Sequence, residues 1–349
     1  MPEAVLSRAR DELLDFNQLG MSVMEMSHRS DAFQTVAHTA VADLKSLLSI
    51  PDNYRILYMQ GGATQQFSCV PWNLLGHNNK SDYIDTGIWS TKAINEARRL
   101  PGADIHIAAS TAQTRYATVP DQHELSLRSD AAYVHYTSNE TIGGVEFPYI
   151  PETQGVPLVA DMSSNILSEP LDVSRYGLIY AGAQKNIGPA GLAWVVVRDD
   201  LLAGARDDIP ALMSYQRMAA HDSMLNTPPT FSLYLCGLVF QWLKDQGGVA
   251  EIQKVNKQKA AALYAQIDRS DFYQSPVALN ARSQMNVAFG LSDTQLEATF
   301  LDEAEAAGLY NLAGHRSVGG MRASIYNAVS LTAVTALTEF MSDFEKRYG

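Results

Sequence analysis

The sequence predicts an α/β fold: a mostly parallel, seven-stranded-type sheet with helices on both faces, joined to a smaller α+β C-terminal domain. Seven short apolar runs, at 55–59, 83–86, 104–109, 133–136, 158–161, 178–183 and 192–197, are separated by helical patterns and turns. Repeated strand–helix alternation of this kind builds a parallel sheet covered on both faces. Over the last hundred residues the pattern changes to a strand, a helix, two further strands and a final helix. The large domain is expected over 15–245, and the smaller one over 246–349 completed by residues 1–14.

Each element has a local cause. Val5, Leu6, Ala9, Leu13 and Phe16 form one face of a helix over 2–16, ended near Gly20. Residues 21–30 are a connection containing His28 and Arg29, a pair that reads on its own as solvated surface. Asp31 opens a helix with Phe33, Val36, Ala37, Ala40, Leu44, Leu47 and Leu48 inward, closed before Pro51. The 55–59 strand runs into Gly61-Gly62-Ala63-Thr64 and an apolar helix over 65–75. Strand, glycine turn and helix N-terminus can bind a phosphate through free backbone N–H groups. No Gly-Lys-Ser/Thr follows, so the turn is not a Walker loop. Trp89 opens the helix after the 83–86 strand, where it serves either packing or the stacking of a flat cofactor.

Further on, Asn226-Thr227-Pro228-Pro229 precedes a buried helix over 230–244, and a long polar helix spans 249–267. A strand at 285–291 leads to a helix over 292–307, with Leu296, Phe300, Leu301 and Ala304 inward and Gly308 past its end. Two strands are expected within 310–329. The last helix, 330–347, buries Val334, Leu337, Met341 and Phe344.

Composition bounds the function. The 349 residues are 46% apolar and carry a formal charge of −12. Nucleic acid and anionic membranes are therefore poor partners. Cys69 and Cys236, the only cysteines, fall in apolar helical patterns, which fits a reducing compartment. The chain begins in an amphipathic helix, and its most apolar long stretch, 231–243, is too short to span a bilayer. A cytoplasmic protein is expected. The eight histidines show no His-Glu-x-x-His spacing and there is no cysteine pair, so no metal is expected. Gly-x-Ser-x-Gly and Gly-x-Gly-x-x-Gly are also absent, which sets aside serine hydrolases and dinucleotide folds.

The chemistry centres on 178–197. An apolar run stops at Gln184-Lys185-Asn186, a turn with Gly188, Pro189 and Gly191 follows, and a second β-branched run begins at Leu192. A lysine at a strand end among apolar residues is pushed toward its neutral amine, which suits attack on an aldehyde. Twenty-four residues upstream, a short apolar strand ends in Asp161. A carboxylate and a lysine at two strand ends face one crevice of an open α/β sheet. Pyridoxal phosphate needs that arrangement: the lysine forms the Schiff base and the acid keeps the pyridine nitrogen protonated. Arg322, inside an apolar strand, calls for an anionic partner such as a substrate carboxylate.

The collected motifs resemble the phosphoserine aminotransferase family, class-V enzymes of pyridoxal-phosphate fold type I. The resemblance runs along the whole chain. It rests on Ser-Val-Met-Glu-Met-Ser-His-Arg (22–29), Asn-Glu-Thr-Ile (139–142), Ala-Gly-Ala-Gln-Lys-Asn-Ile-Gly-Pro-Ala-Gly (181–191), Asn-Thr-Pro-Pro-Thr (226–230) and Gly-His-Arg-x-Val-Gly-Gly-Met-Arg-Ala-Ser (314–324). It implies that Lys185 is the Schiff-base lysine, that Asp161 pairs with the pyridine nitrogen, that Trp89 stacks on the ring and that Thr141 bonds its phenolic oxygen. Ala63, Thr64 and Gln184 would hold the phosphate, with Asn226 and Thr227 reaching it from the second subunit of a homodimer. His28, Arg29, His315 and Arg316 would bind the distal anion of the substrate, and Arg322 its α-carboxylate. The implied reaction takes L-glutamate and 3-phosphohydroxypyruvate to 2-oxoglutarate and O-phospho-L-serine, with a parallel phosphorylated substrate in pyridoxine synthesis. The family also has an extended segment containing Ser-Gly-Pro ahead of the first helix, and this sequence starts after it. Either the start codon is mis-assigned or the enzyme is shorter, with lower substrate affinity and its lysine chemistry intact.

Two other readings compete. A desulfurase would need an exposed loop cysteine, and an alanine-type aminotransferase has no use for distal Arg and His groups. A non-catalytic assembly protein would keep the fold without the chemistry.

Overall fold

The computed structural model describes residues 1–76, 78–206 and 208–349. The chain opens with α1 (Glu3–Asp11) and α2 (Asp31–Leu47), the latter capped by Ser30, whose hydroxyl accepts the Phe33 N–H. Next come β1 (Tyr54–Gln60), α3 (Gly62–Leu74), β2 (Lys80–Asp85), α4 (Ile88–Ala97) and β3 (Asp104–Ser110). β4 (Val134–Thr137), the short pair β5 (Asn139–Glu140) and β6 (Val145–Glu146), β7 (Leu158–Asp161), β8 (Leu178–Gly182) and β9 (Leu192–Arg198) follow.

Seven of these strands form one sheet in the order β1-β9-β8-β7-β4-β2-β3. From β8 to β3 all neighbours are parallel, while β9 is antiparallel to both β8 and β1. The glycine-rich turn after β8 sends the chain straight back, so no crossover helix intervenes and the pair must be antiparallel. Apolar clusters cover both faces: Phe33, Leu44, Trp194 and Phe240 on one side, Phe67, Tyr83, Tyr133 and Tyr180 on the other. Parallel strands end at one edge, so the ends of β2, β4, β7 and β8 (Asp85, Thr137, Asp161 and Gly182) share a crevice.

α5 (Tyr215–Ala219) and α6 (Thr230–Asp245) return to the large sheet, and Lys244 on α6 reaches Asp43 on α2 at 2.5 Å. α7 (Val249–Ile267), β10 (Tyr273–Gln274), β11 (Asn286–Leu291), α8 (Glu297–Ala306), β12 (Met321–Ser324) and α9 (Leu331–Tyr348) build a second layer. Its antiparallel sheet, β10-β11-β12, has its own core around Phe289, Phe300, Met341 and Phe344. Among the described residues no helix is long and apolar enough to cross a membrane.

Three local expectations change. The N-terminal helix was expected to complete the C-terminal domain. Its Val5 and Ala9 instead join the core of the large sheet, and just beyond it Glu12 accepts a bond from Tyr234 on α6. It also ends at Asp11, and Phe16 packs edge-on against Tyr234 from a separate 3₁₀ turn. An amphipathic stripe tells that a face is buried but not against what. Within 310–329 there is one strand rather than two, with a single bridge from Ala313 to Met321. Residues 314–320 close on themselves: the Gly314 N–H donates to Gly320 O, and a Cβ on Gly314 would sit 2.0 Å from Gly319 O. Lastly, α8 starts at Glu297, after a 3₁₀ turn in which the Asp293 side chain accepts the Gln295 N–H.

Candidate active site

Asp161 ends β7 with its side chain buried in the crevice. The Ser163 N–H and hydroxyl both donate to Asp161 Oδ1, at 2.9 and 2.6 Å, and Ser163 Oγ in turn accepts the Gly182 N–H. Both donors fall on one oxygen, so Oδ2 remains for a ligand. Burial raises the carboxyl above its ordinary range, and the Lys185 charge and the Ser163 bonds oppose the rise.

Lys185 stands three residues past the end of β8. Its Nζ donates to Thr141 Oγ1 at 2.5 Å and lies 5.4 Å from the centre of the Trp89 ring. Burial lowers the amine below its usual range; Asp161 and Glu140 pull it back up, and the Arg322 charge adds to the lowering. The lysine is thus biased toward the neutral nucleophile that aldehyde chemistry requires.

The first turn of α3 faces the end of β8. A Cβ on Gly182 would lie 2.7 Å from Gln184 Oε1 and 3.3 Å from the Ala63 Cβ, so a bare backbone there lets Gln184 and α3 approach closely. Gly61, at φ +87°, turns the chain into α3 without a side-chain cap. The N–H groups of Ala63 and Thr64 in that first turn have no intrahelical acceptor and suit a phosphate. Gln60 at the end of β1 donates to Asn226 Oδ1 at 2.8 Å. Asn226 lines a cavity of about 190 Å³ with Gln60 and Gln65, and Thr227 is exposed.

This donor set fits pyridoxal phosphate. The N-terminus of α3 could cradle its phosphate, an unshared carboxylate oxygen suits a pyridinium nitrogen, and an indole ring stands near the lysine. Behind Asp161, Tyr180 on β8 bonds His135 Nε2 at 2.9 Å, and His135 stacks on Tyr83.

The substrate side is less interlocked. Arg322 on β12 has a buried, unpartnered Nε and shares a cavity of about 270 Å³ with Ile142, Gly314 and His315. The structure thereby brings Arg322 and His315 beside the residue that follows Thr141. Arg316 and Arg29 are exposed. The His28 carbonyl accepts a bond from Gln34, which also contacts Met224, two residues from Asn226. Among the described residues, no hydrogen bond joins His28, Arg29, His315 or Arg316 to Lys185, Asp161 or Thr141.

Reading from sequence missed Glu140, Ser163 and Asn139. Glu140 was inside the Asn-Glu-Thr-Ile block, but its neighbours Ser138, Asn139 and Thr141 are polar and give no sign of its burial. Asn139 donates to Ser164 and to Asn286 on β11, tying the two sheets together beside Thr141.

The class-V aminotransferase family matches residues 1–337. A phosphoserine aminotransferase of Pseudomonas paraeruginosa is 59% identical over all 349 residues, covering 96% of its own length. One from Pseudomonas putida is 56% identical over the same span. Among solved structures, phosphoserine aminotransferase from Bacillus circulans subsp. alkalophilus superposes with a TM-score of 0.98 at 44% identity, covering 100% of this chain and 96% of that one. The pyridoxal-phosphate-bound enzyme of Trichomonas vaginalis gives 0.95 at 38% identity, covering 98% and 97%.

Proposed function

The chain belongs to the class-V aminotransferases, and from that premise we propose that it moves an amino group from L-glutamate to 3-phosphohydroxypyruvate, giving 2-oxoglutarate and O-phospho-L-serine. The observation that carries the chemistry is the meeting of Lys185, Thr141, Trp89 and Asp161 at the ends of adjacent strands. Bound pyridoxal phosphate supplies an electron sink for the substrate α-carbon. Everything else falls to the protein.

The Lys185 amine, its pKa lowered by burial, carries the α-proton off one carbon and onto another as base and then acid. Thr141, 2.5 Å away, fixes its position. Asp161, braced by Ser163 on Oδ1, would hold the ring nitrogen of the cofactor and keep it protonated. Ala63, Thr64 and Gln184 bind the phosphate with backbone and amide donors. Arg322 clamps the α-carboxylate, and its buried, unpartnered Nε supports that role. His28, Arg29, His315 and Arg316 receive the distal γ-carboxylate or phosphate. Asn226 and Thr227 complete the phosphate site of a second copy, a reading supported by the exposure of Thr227 beyond the end of β1.

The test is a coupled assay of the cofactor-loaded chain with glutamate and 3-phosphohydroxypyruvate. Release of 2-oxoglutarate, dependent on the phosphorylated keto acid, is expected. A chain that binds pyridoxal phosphate yet releases none refutes the assignment.

A further inference from the structure

Glu140 has no part in the chemistry above, yet it is buried at the centre of the site. Its carboxylate faces the first turn of α4. Oε2 accepts the Trp89 N–H at 3.0 Å and Oε1 accepts the Ser90 N–H at 2.8 Å. The contact is shaped from both sides, because a Cβ on Gly87 would fall 2.5 Å from the Glu140 carboxyl carbon. Glu140 itself is held rigidly. It pairs with Val145 across β5 and β6, its carbonyl accepts the Gly144 N–H, and its neighbour Asn139 is bonded to Ser164 and Asn286. On its other side is Thr141, the acceptor for Lys185.

We propose that Glu140 is a positioning residue for amino transfer: it anchors the first turn of α4 and thereby holds the Trp89 ring in register with the lysine gripped by Thr141. The inference rests on the reading of Trp89 as the ring that faces the cofactor. One dipeptide, Glu140-Thr141, then aligns both the stacking surface and the reacting amine. Burial pushes the Glu140 carboxyl up to about 7, the two backbone N–H bonds oppose that rise and Asp161 reinforces it.

Two variants test this from opposite sides in the full chain. Glu140→Gln keeps the shape but presents a donor to one of the two N–H groups. Gly87→Ala leaves Glu140 in place and pushes its carboxyl off the helix; Gly87 is in extended backbone that alanine adopts freely. The readouts are the pyridoxal-phosphate dissociation constant and the Trp89-dependent quenching of fluorescence on binding, the latter isolated by subtracting a Trp89→Phe chain. Both variants are expected to weaken cofactor binding about tenfold and to lose most of that quenching, with kcat falling more than KM rises. Wild-type quenching together with unchanged quenching and affinity in both variants overturns the role of Glu140 alone. Absence of Trp89-dependent quenching in the wild-type chain overturns the inference together with the reading of Trp89 it rests on.

Discussion

The strand-end cluster and the 314–320 loop, to which we assign the reacting groups and the reading of the distal anion, are built in opposite ways. Around Lys185 each working group has a partner inside the chain: Asp161 with Ser163, Ser163 with Gly182, Lys185 with Thr141, Trp89 with Glu140. In the loop, His315 meets Ser317, two residues away, and Arg316 is exposed. The loop is closed by backbone bonds, from Val318 and Gly319 to the His315 carbonyl and from Gly314 to Gly320. Groups that do the chemistry are held before substrate arrives, as effective proton transfer requires. The groups proposed to read the distal anion, Arg29, His315 and Arg316, are exposed instead. One pocket must accept a planar carboxylate in one half-reaction and a tetrahedral phosphate in the other, and flexible donors serve both.

The contrast breaks most sharply at the interlocked end. Lys185→Ala removes both nucleophile and proton carrier, and amino transfer is expected to fall by at least about 10⁴-fold. Asp161→Asn keeps the shape and the Ser163 bonds but removes the charge, with an expected loss of about 10²–10³-fold. Steady-state rates with glutamate and 3-phosphohydroxypyruvate, alongside circular dichroism to confirm folding, decide both. An Asp161→Asn enzyme within tenfold of wild type would show that the ring nitrogen does not depend on this carboxylate.

Much of that cluster was legible in the sequence because strand ends are legible. Asp161 and Lys185 each close an apolar run, and parallel strands carry such ends to one edge. Glu140 was not, because its partners are backbone N–H groups about fifty residues away that no side-chain pattern announces. The missing second strand of 310–329 escaped for a similar reason. Gly314, Gly319 and Gly320 pack backbone against backbone, and a glycine-rich stretch reads equally as strand or as loop. The contact of α1 with α6 was equally hidden, since its apolar stripe fits either layer. The distal residues are a different case: their roles rest on family resemblance alone, and the single chain leaves Arg29 and Arg316 apart from the lysine.

Those two arginines give the next prediction. Arg316→Ala and Arg29→Ala are each expected to raise KM for 3-phosphohydroxypyruvate about 10- to 100-fold while cofactor affinity changes little. The penalty should shrink as salt is added, because exposed charges are screened over roughly 8 Å at physiological ionic strength. Loss of the same size with an unphosphorylated keto acid would remove the distal role and place these side chains elsewhere in the mechanism.

The smallest effect probes the interlocked region through stability. His135 lies behind Asp161, buried, with Nε2 on the Tyr180 hydroxyl and Nδ1 unpartnered, and burial holds its pKa down at about 3. An imidazole depressed in the folded state contributes stability that is whole above its unfolded value, near 6.5, and drains away as pH falls toward 3. The slope is about 1.4 kcal/mol for each pH unit in that window. Glu140 and Glu146, both raised to about 7 by burial, act in the opposite sense: folding favours their protonated forms, so acid relieves their penalty between about 7 and 4.5. The raw stability profile therefore mixes opposing terms. The gap between wild type and His135→Gln isolates the histidine, since the glutamates are common to both. Urea unfolding at pH 6.5, 5.5 and 4.5 should show that gap shifting in favour of the variant by about 1 kcal/mol over the first step, where the unfolded imidazole is already half protonated, and about 1.3 kcal/mol over the second. A gap that stays constant across the three would mean that His135 takes up its proton in the folded chain, and that the layer beneath Asp161 is wetter than its burial indicates.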